Sequence, residues 1–224
     1  MIPIDLNEFI QNVQDYQSSP CAIETLYGDV LKRRDVWDKL DQIDTQKTEE
    51  VVLSFLNAWK CRLSYVCSRD LTKALKDSSK FLVKLRNQSL ESVTLKFLID
   101  DNDIQEAFGK ISSVQAGRRT VGATATSKIL HMIIPDLFVM ADENTRFGYG
   151  CNENEVGYVN FMWRMKLVGD SLLDDYSNTR KVARDRAFQK LVSECRSSAT
   201  ALPKLIDEYN WVKYNPSFGR TFKG

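Results

Sequence analysis

Between Val121 and Ile134 the chain is apolar over most of a helical surface, and this stretch constrains the fold more than any other. At about 100° per residue, Val121, Met132, Ala125, Ile129, Ile133, Thr126, Leu130 and Ile134 cover roughly two thirds of the circumference. A helix of that kind must be wrapped by other elements on most sides. Thr124, Ser127, Lys128 and His131 share the remaining arc, so the chain's single histidine sits on a polar stripe of a core helix. Pro135 ends the helix, because it lacks an N–H and disfavours helical geometry at the residue before it. Leu137 to Met140 is a short apolar run to be buried nearby. Asp142 follows, and its side chain suits the cap of a helix through Thr145, Arg146 and Phe147. A core helix followed by a capped helix, with no chemistry attached, is the plain reading of this pattern.

The wrapping elements are helical too. Apolar residues recur at helical spacing over Asp5–Tyr16, Ala22–Arg34, Thr45–Trp59, Ser68–Leu85, Val156–Tyr176 and Arg180–Arg196. A helix entered through Asp100, Asp101 and Asp103 leads toward the central stretch. Thr200 is the expected cap of a final helix with Pro203 in its first turn. Leu90–Leu98 has mixed helix and strand signals. Glycine and proline are scarce, strand-like alternation is rare, and no repeat is present. The expected architecture is all-α: one unit over residues 1–224, or two helical lobes around a cleft near 117–146. With 43% hydrophobic residues, the chain has material for a substantial core.

Several chemistries are set aside. The formal net charge is +1, so no global field draws the protein to nucleic acid, and such a site needs a local patch. One histidine rules out two-histidine zinc motifs. The five cysteines, Cys21, Cys61, Cys67, Cys151 and Cys195, show no CxxC spacing, so no metal or iron–sulfur site is expected. No phosphate-binding GxxxxGK[ST], GxGxxG or GxSxG is present. Asp100/Asp101 and Asp174/Asp175 are adjacent and point apart on a helix, as caps or solvated faces do. The N-terminus carries acids and does not resemble a signal peptide, and no apolar run reaches membrane-spanning length. A soluble cytoplasmic protein without cofactor or metal is expected.

Residues 117–150 carry a family resemblance. Thr120-Val121-Gly122 looks like the glycine turn of a helix-hairpin-helix, with its first glycine replaced. Thr124 to Leu130 looks like the start of the hairpin's second helix. Val139 to Arg146 looks like the segment bearing a catalytic aspartate. Together they resemble the endonuclease-III-like DNA glycosylase superfamily. The resemblance implies a two-lobed helical fold, DNA as partner, and excision of a base extruded from the duplex. Asp142 would be the carboxylate that assists the reaction. Backbone N–H groups near Gly117 and Gly122, with Arg118, Arg119 and Thr124, would hold a phosphate.

The departures are specific. Family members that also cut the strand use a lysine at the position of Thr124; here Lys128 lies one turn later on the same stripe. The four-cysteine iron–sulfur cluster of many relatives has no counterpart, since only Cys151 and Cys195 follow Lys128. The catalytic candidates are therefore Asp142, Lys128 and His131, the last also readable as a hydrogen-bonded stripe residue. Tyr149, Tyr158, Phe161 and Trp163 are stacking candidates or core. The basic run Arg180 to Arg186 reads as a solvated face. Two other functions fit the same residues: a catalytically silent nucleic-acid-binding module, and a helical protein-interaction domain.

Overall fold

The core helix expected around residues 121–134 is present as Gly122–Ile133 and lies at the centre of the protein. Ala125, Ile129, Leu130, Met132 and Ile133 are each at most 2% exposed. The computed structural model describes residues 4–19, 23–61, 63, 65–100 and 102–215, with only the backbone of residues 23–25. Pro20, Cys21, Asp101 and the tail from Pro216 lie outside that range.

The chain is mostly helical. Helix α1 (Leu6–Ser18) starts at Asp5, whose carboxylate accepts the N–H groups of Asn7 and Glu8. Helix α2 (Ile23–Leu31) is followed by the single turn α3 (Arg34–Trp37) and a 3₁₀ turn at Leu40–Gln42. Thr45–Trp59, expected as one helix, is divided. A first turn α4 (Thr45–Lys47) passes through a π-helical stretch at Thr48–Leu53 into α5 (Ser54–Ala58). The wider turn rotates the apolar stripe, and Val51, Val52, Phe55 and Leu56 all remain buried. Helix α6 (Ser68–Leu85) runs as expected. The ambiguous Leu90–Leu98 stretch resolves into turns followed by α7 (Leu95–Asp100).

Helix α8 (Asn102–Ser112) leads into the only strands among the described residues, β1 (Gln115–Ala116) and β2 (Arg119–Thr120). They pair antiparallel, Gln115 with Thr120 and Ala116 with Arg119. Gly117 closes this hairpin at φ 65°, and Gly122 opens the core helix at φ 71°. Both are left-handed positions that favour glycine. The core helix is α9 (Gly122–Ile133), and Asp142 caps α10 (Glu143–Gly148).

Helix α11 (Glu155–Arg180) starts at Asn154, which accepts the N–H of Gly157. It ends where Lys181 turns left-handed at φ 54°, so the expected Arg180–Arg196 helix begins later, as α12 (Arg184–Cys195). The last helix, α13 (Leu202–Tyr214), has Ala201 at its N-cap rather than Thr200, and no side chain caps it; Pro203 is in its first turn. The buried apolar residues form one continuous core from Phe9 in α1 to Tyr209 in α13. No described helix is long and apolar enough to cross a membrane. Arg180 pairs with Glu194, and Arg184 with Asp174, so the basic run forms an ion-paired face.

Candidate functional site

The polar stripe of α9 holds the segment that delivers Asp142. Residues 138–141 are buried without regular structure, so their backbone polar groups need partners from elsewhere. His131 Nδ1 stands 2.5 Å from the Phe138 carbonyl. The Tyr158 hydroxyl donates to the Val139 carbonyl at 3.0 Å, and the Val139 N–H meets Met162 Sδ at 3.4 Å. Ser127 Oγ accepts the Ala141 N–H at 2.9 Å. Arg146 Nη1 donates to the Ala141 carbonyl at 2.6 Å and to Thr124 Oγ1 at 3.0 Å. Thr124, Ser127 and His131 thus clamp the chain immediately before Asp142. The Asp142 carboxylate accepts the Thr145 N–H at 2.7 Å and stays partly exposed.

His131 takes a different place from that of a general base. It is fully buried, with both ring nitrogens engaged. A carbonyl only accepts, so Nδ1 carries the proton. Nε2 then accepts from the Tyr27 hydroxyl, 2.7 Å away. Burial pushes the imidazole down to about 4, outweighing the Phe138 carbonyl that favours the charged form. At neutral pH it is an uncharged strut between α2 and the Asp142 segment.

Lys128 leaves the stripe in another direction. Its ammonium lies 4.9 Å from the centre of the Trp59 ring, with long contacts to the Trp59 carbonyl (3.4 Å) and Cys61 Sγ (3.7 Å). Burial pushes the Cys61 thiol up while Lys128 draws it down, and the net shift is upward. Arg118 and Arg119 are exposed on the β-hairpin beside the start of α9.

Neither the family models nor the curated proteins nor the solved structures contain a match to this chain.

Three residues absent from the sequence candidates complete the arrangement, and all lie on α13. Lys204 and Glu208, 1% and 0% exposed, form an ion pair at 3.1 Å, close but not aligned for a hydrogen bond. Glu208 Oε2 also accepts from Gln17 (2.9 Å) and Ser197 (2.8 Å). Asp207 is different. Its side chain is 19% exposed, it makes no hydrogen bond among the described residues, and Lys204 Nζ stands 4.0 Å away. Burial pushes its carboxyl up to about 7; Lys204 and Lys128 draw it down, while Asp142 and Glu208 push it further up. Lys204, Asp207 and Glu208 form a charged stripe at i, i+3 and i+4 on a helix whose Leu202, Leu205, Ile206 and Tyr209 are buried. That is the signal α9 also carries, and it was present in the sequence.

Among the stacking candidates, Tyr158 and Phe161 are core residues with 0% exposure. Tyr149 is half-buried and donates to Asn210 at 2.9 Å. Cys61, Cys67, Cys151 and Cys195 carry free thiols. No group of three or more potential metal ligands occurs among the described residues.

Proposed function

We propose that this chain is a base-excising, N-glycosylase-like protein acting on a nucleotide extruded from duplex DNA. The observation that carries this reading is the clamp of α9 on the backbone before Asp142, which leaves its carboxylate partly exposed at a helix start. A rigid carboxylate at a helix start suits stabilisation of the positive charge that grows on a sugar as its base departs. Water is the attacking group, and Asp142 assists it.

The turn into α9 supports the DNA part of the reading. Gly122 lets the backbone enter the helix in a left-handed conformation, and the first N–H groups of α9 have no side-chain cap. Such groups hold a phosphate without reading sequence, and Arg118 and Arg119 add charge beside them. On this reading, α8, the hairpin and α9 form a divergent helix-hairpin-helix, lengthened by the two-residue β-ladder. Arg118→Ala with Arg119→Ala is expected to weaken duplex binding equally across sequences. It should also reduce the slope of log affinity against log salt by about 2, one phosphate per arginine. Salt-independent binding, or no binding at low salt, would favour a protein-interaction domain.

Thr124, at the family's lysine position, is engaged by Arg146, which leaves Lys128 as the amine on the same polar stripe of α9. If Lys128 attacks C1′, borohydride should trap wild type covalently on a damaged duplex, and Lys128→Met should give no adduct. Base release without any trapped species is the outcome expected for water attack, with Lys128 as an electrostatic contact.

A further inference from the structure

Resting on the DNA part of that reading, we propose that the outer stripe of α6 is a second nucleic-acid surface, a track for one phosphate strand that carries the hairpin's contact further along the duplex. At about 100° per residue, Arg69, Lys73, Lys76, Lys80 and Lys84 fall within an arc of about 80°, opposite the buried Leu71, Leu75, Ser78 and Leu82. All five are exposed, and no acidic residue shares the arc. In a chain of net charge +1 this is the local patch that a nucleic-acid site needs.

Much of the charge on the stripe is unmatched. Lys73 pairs with Asp77, and Lys84 with Asp103 of α8; no carboxylate among the described residues pairs with Arg69, Lys76 or Lys80. Residues four apart on a helix are surface neighbours, so Arg69 and Lys73, Lys76 and Lys80, and Lys80 and Lys84 repel one another. A polyanion laid along the stripe relieves that repulsion. The half-buried Phe81 ring gathers the far end: the ammonium groups of Lys80, Lys84 and Lys110 stand 4.8, 6.0 and 5.8 Å from its centre.

The near end of the stripe meets the hairpin, and this continuity favours DNA as the occupant. Val66, two residues before α6, pairs its backbone with Ala116 of β1. Tyr65 lies against the turn, where a side chain at Gly117 would begin 3.3 Å from the Tyr65 Cβ. Arg118 and Arg119 are exposed on the same hairpin. From Arg69 to Lys84 the stripe runs about 22 Å, enough to follow one strand for about six nucleotides. A line of cations that starts at a phosphate-holding turn suits a charged rod better than a single small anion.

The salt dependence of duplex binding tests this. Wild type would be compared with three full-length variants. One removes stripe charges, Arg69→Gln with Lys76→Gln and Lys80→Gln. The second is Arg118→Ala with Arg119→Ala. The third removes the same charge around the start of α12, by Lys181→Gln, Arg186→Gln and Lys190→Gln. The stripe variant should keep its Tm and lower the slope of log affinity against log salt by about 2.7, at about 0.9 per phosphate. It should bind about 10-fold more weakly or worse at about 0.1 M salt, while the α12 variant keeps the wild-type slope. An equal fall in both would reduce the effect to net charge and overturn the track. A lowered hairpin slope beside an unchanged stripe slope would overturn the track and leave the DNA reading standing. Wild type that binds no duplex at low salt would overturn the DNA reading, and the track with it. Unchanged duplex binding by the stripe variant, with loss of binding to phosphatidylcholine–phosphatidylserine vesicles, would assign the stripe to a lipid surface instead.

Discussion

Replacing Lys204 with Met should destabilise the protein by about 3–5 kcal/mol at pH 7, the cost of leaving a buried charge without its partner. Glu208 is 0% exposed and, among the described residues, would keep Gln17 and Ser197 as donors. The ammonium also lies 4.7 Å from the Tyr16 ring centre and 5.2 Å from that of Tyr27, and those attractions would be lost too. Lys204→Met with Glu208→Leu removes both charges, so the double variant should recover most of the loss. Urea unfolding of the three proteins measures this. A single-variant loss under about 1 kcal/mol would mean that solvent reaches the pair.

The Lys204–Glu208 pair marks where sequence reading stops. The core helix, its end at Pro135 and the Asp142 cap were legible because each depends on local chemistry: periodicity, a missing N–H and a capping carboxylate. The same logic located α1, α6 and α11. The Thr45–Trp59 helix concealed a π-helical stretch, since its apolar spacing differs little from that of an α-helix. Thr200 has the right residue type for a cap, yet Ala201 occupies that position.

The site was half legible. Thr124, Lys128, His131 and Asp142 fall within one sequence window, and the stripe singled them out. Their separate duties did not follow from the stripe. His131 supports the backbone because Phe138 and Tyr27 meet it from two other segments. Lys204, Asp207 and Glu208 lie far along the chain, and the packing of α13 on α10 follows from the fold rather than from any local sequence signal.

Asp142 is the residue on which the functional reading depends most. Its backbone follows a segment clamped by Ser127 and Arg146, so its carboxylate is held in place before substrate arrives. Such preorganised charge stabilises a developing cation without reorganisation. In Asp142→Asn the amide oxygen can still accept the Thr145 N–H, so the cap survives and stability should stay within about 1 kcal/mol of wild type. The neutral amide no longer balances an oxocarbenium-like sugar. Base release should fall by about 100-fold or more, on the scale of losing one preorganised electrostatic group, while duplex binding is kept. A variant that unfolds would mark Asp142 as chiefly structural.

The central test is mass-spectrometric detection of free base released from damaged duplex DNA by wild type and by folded Asp142→Asn, side by side. Release by wild type, with a loss of about 100-fold or more in the variant, is the expected result. Equal release by both proteins, or none by wild type, would contradict an excision site built on Asp142.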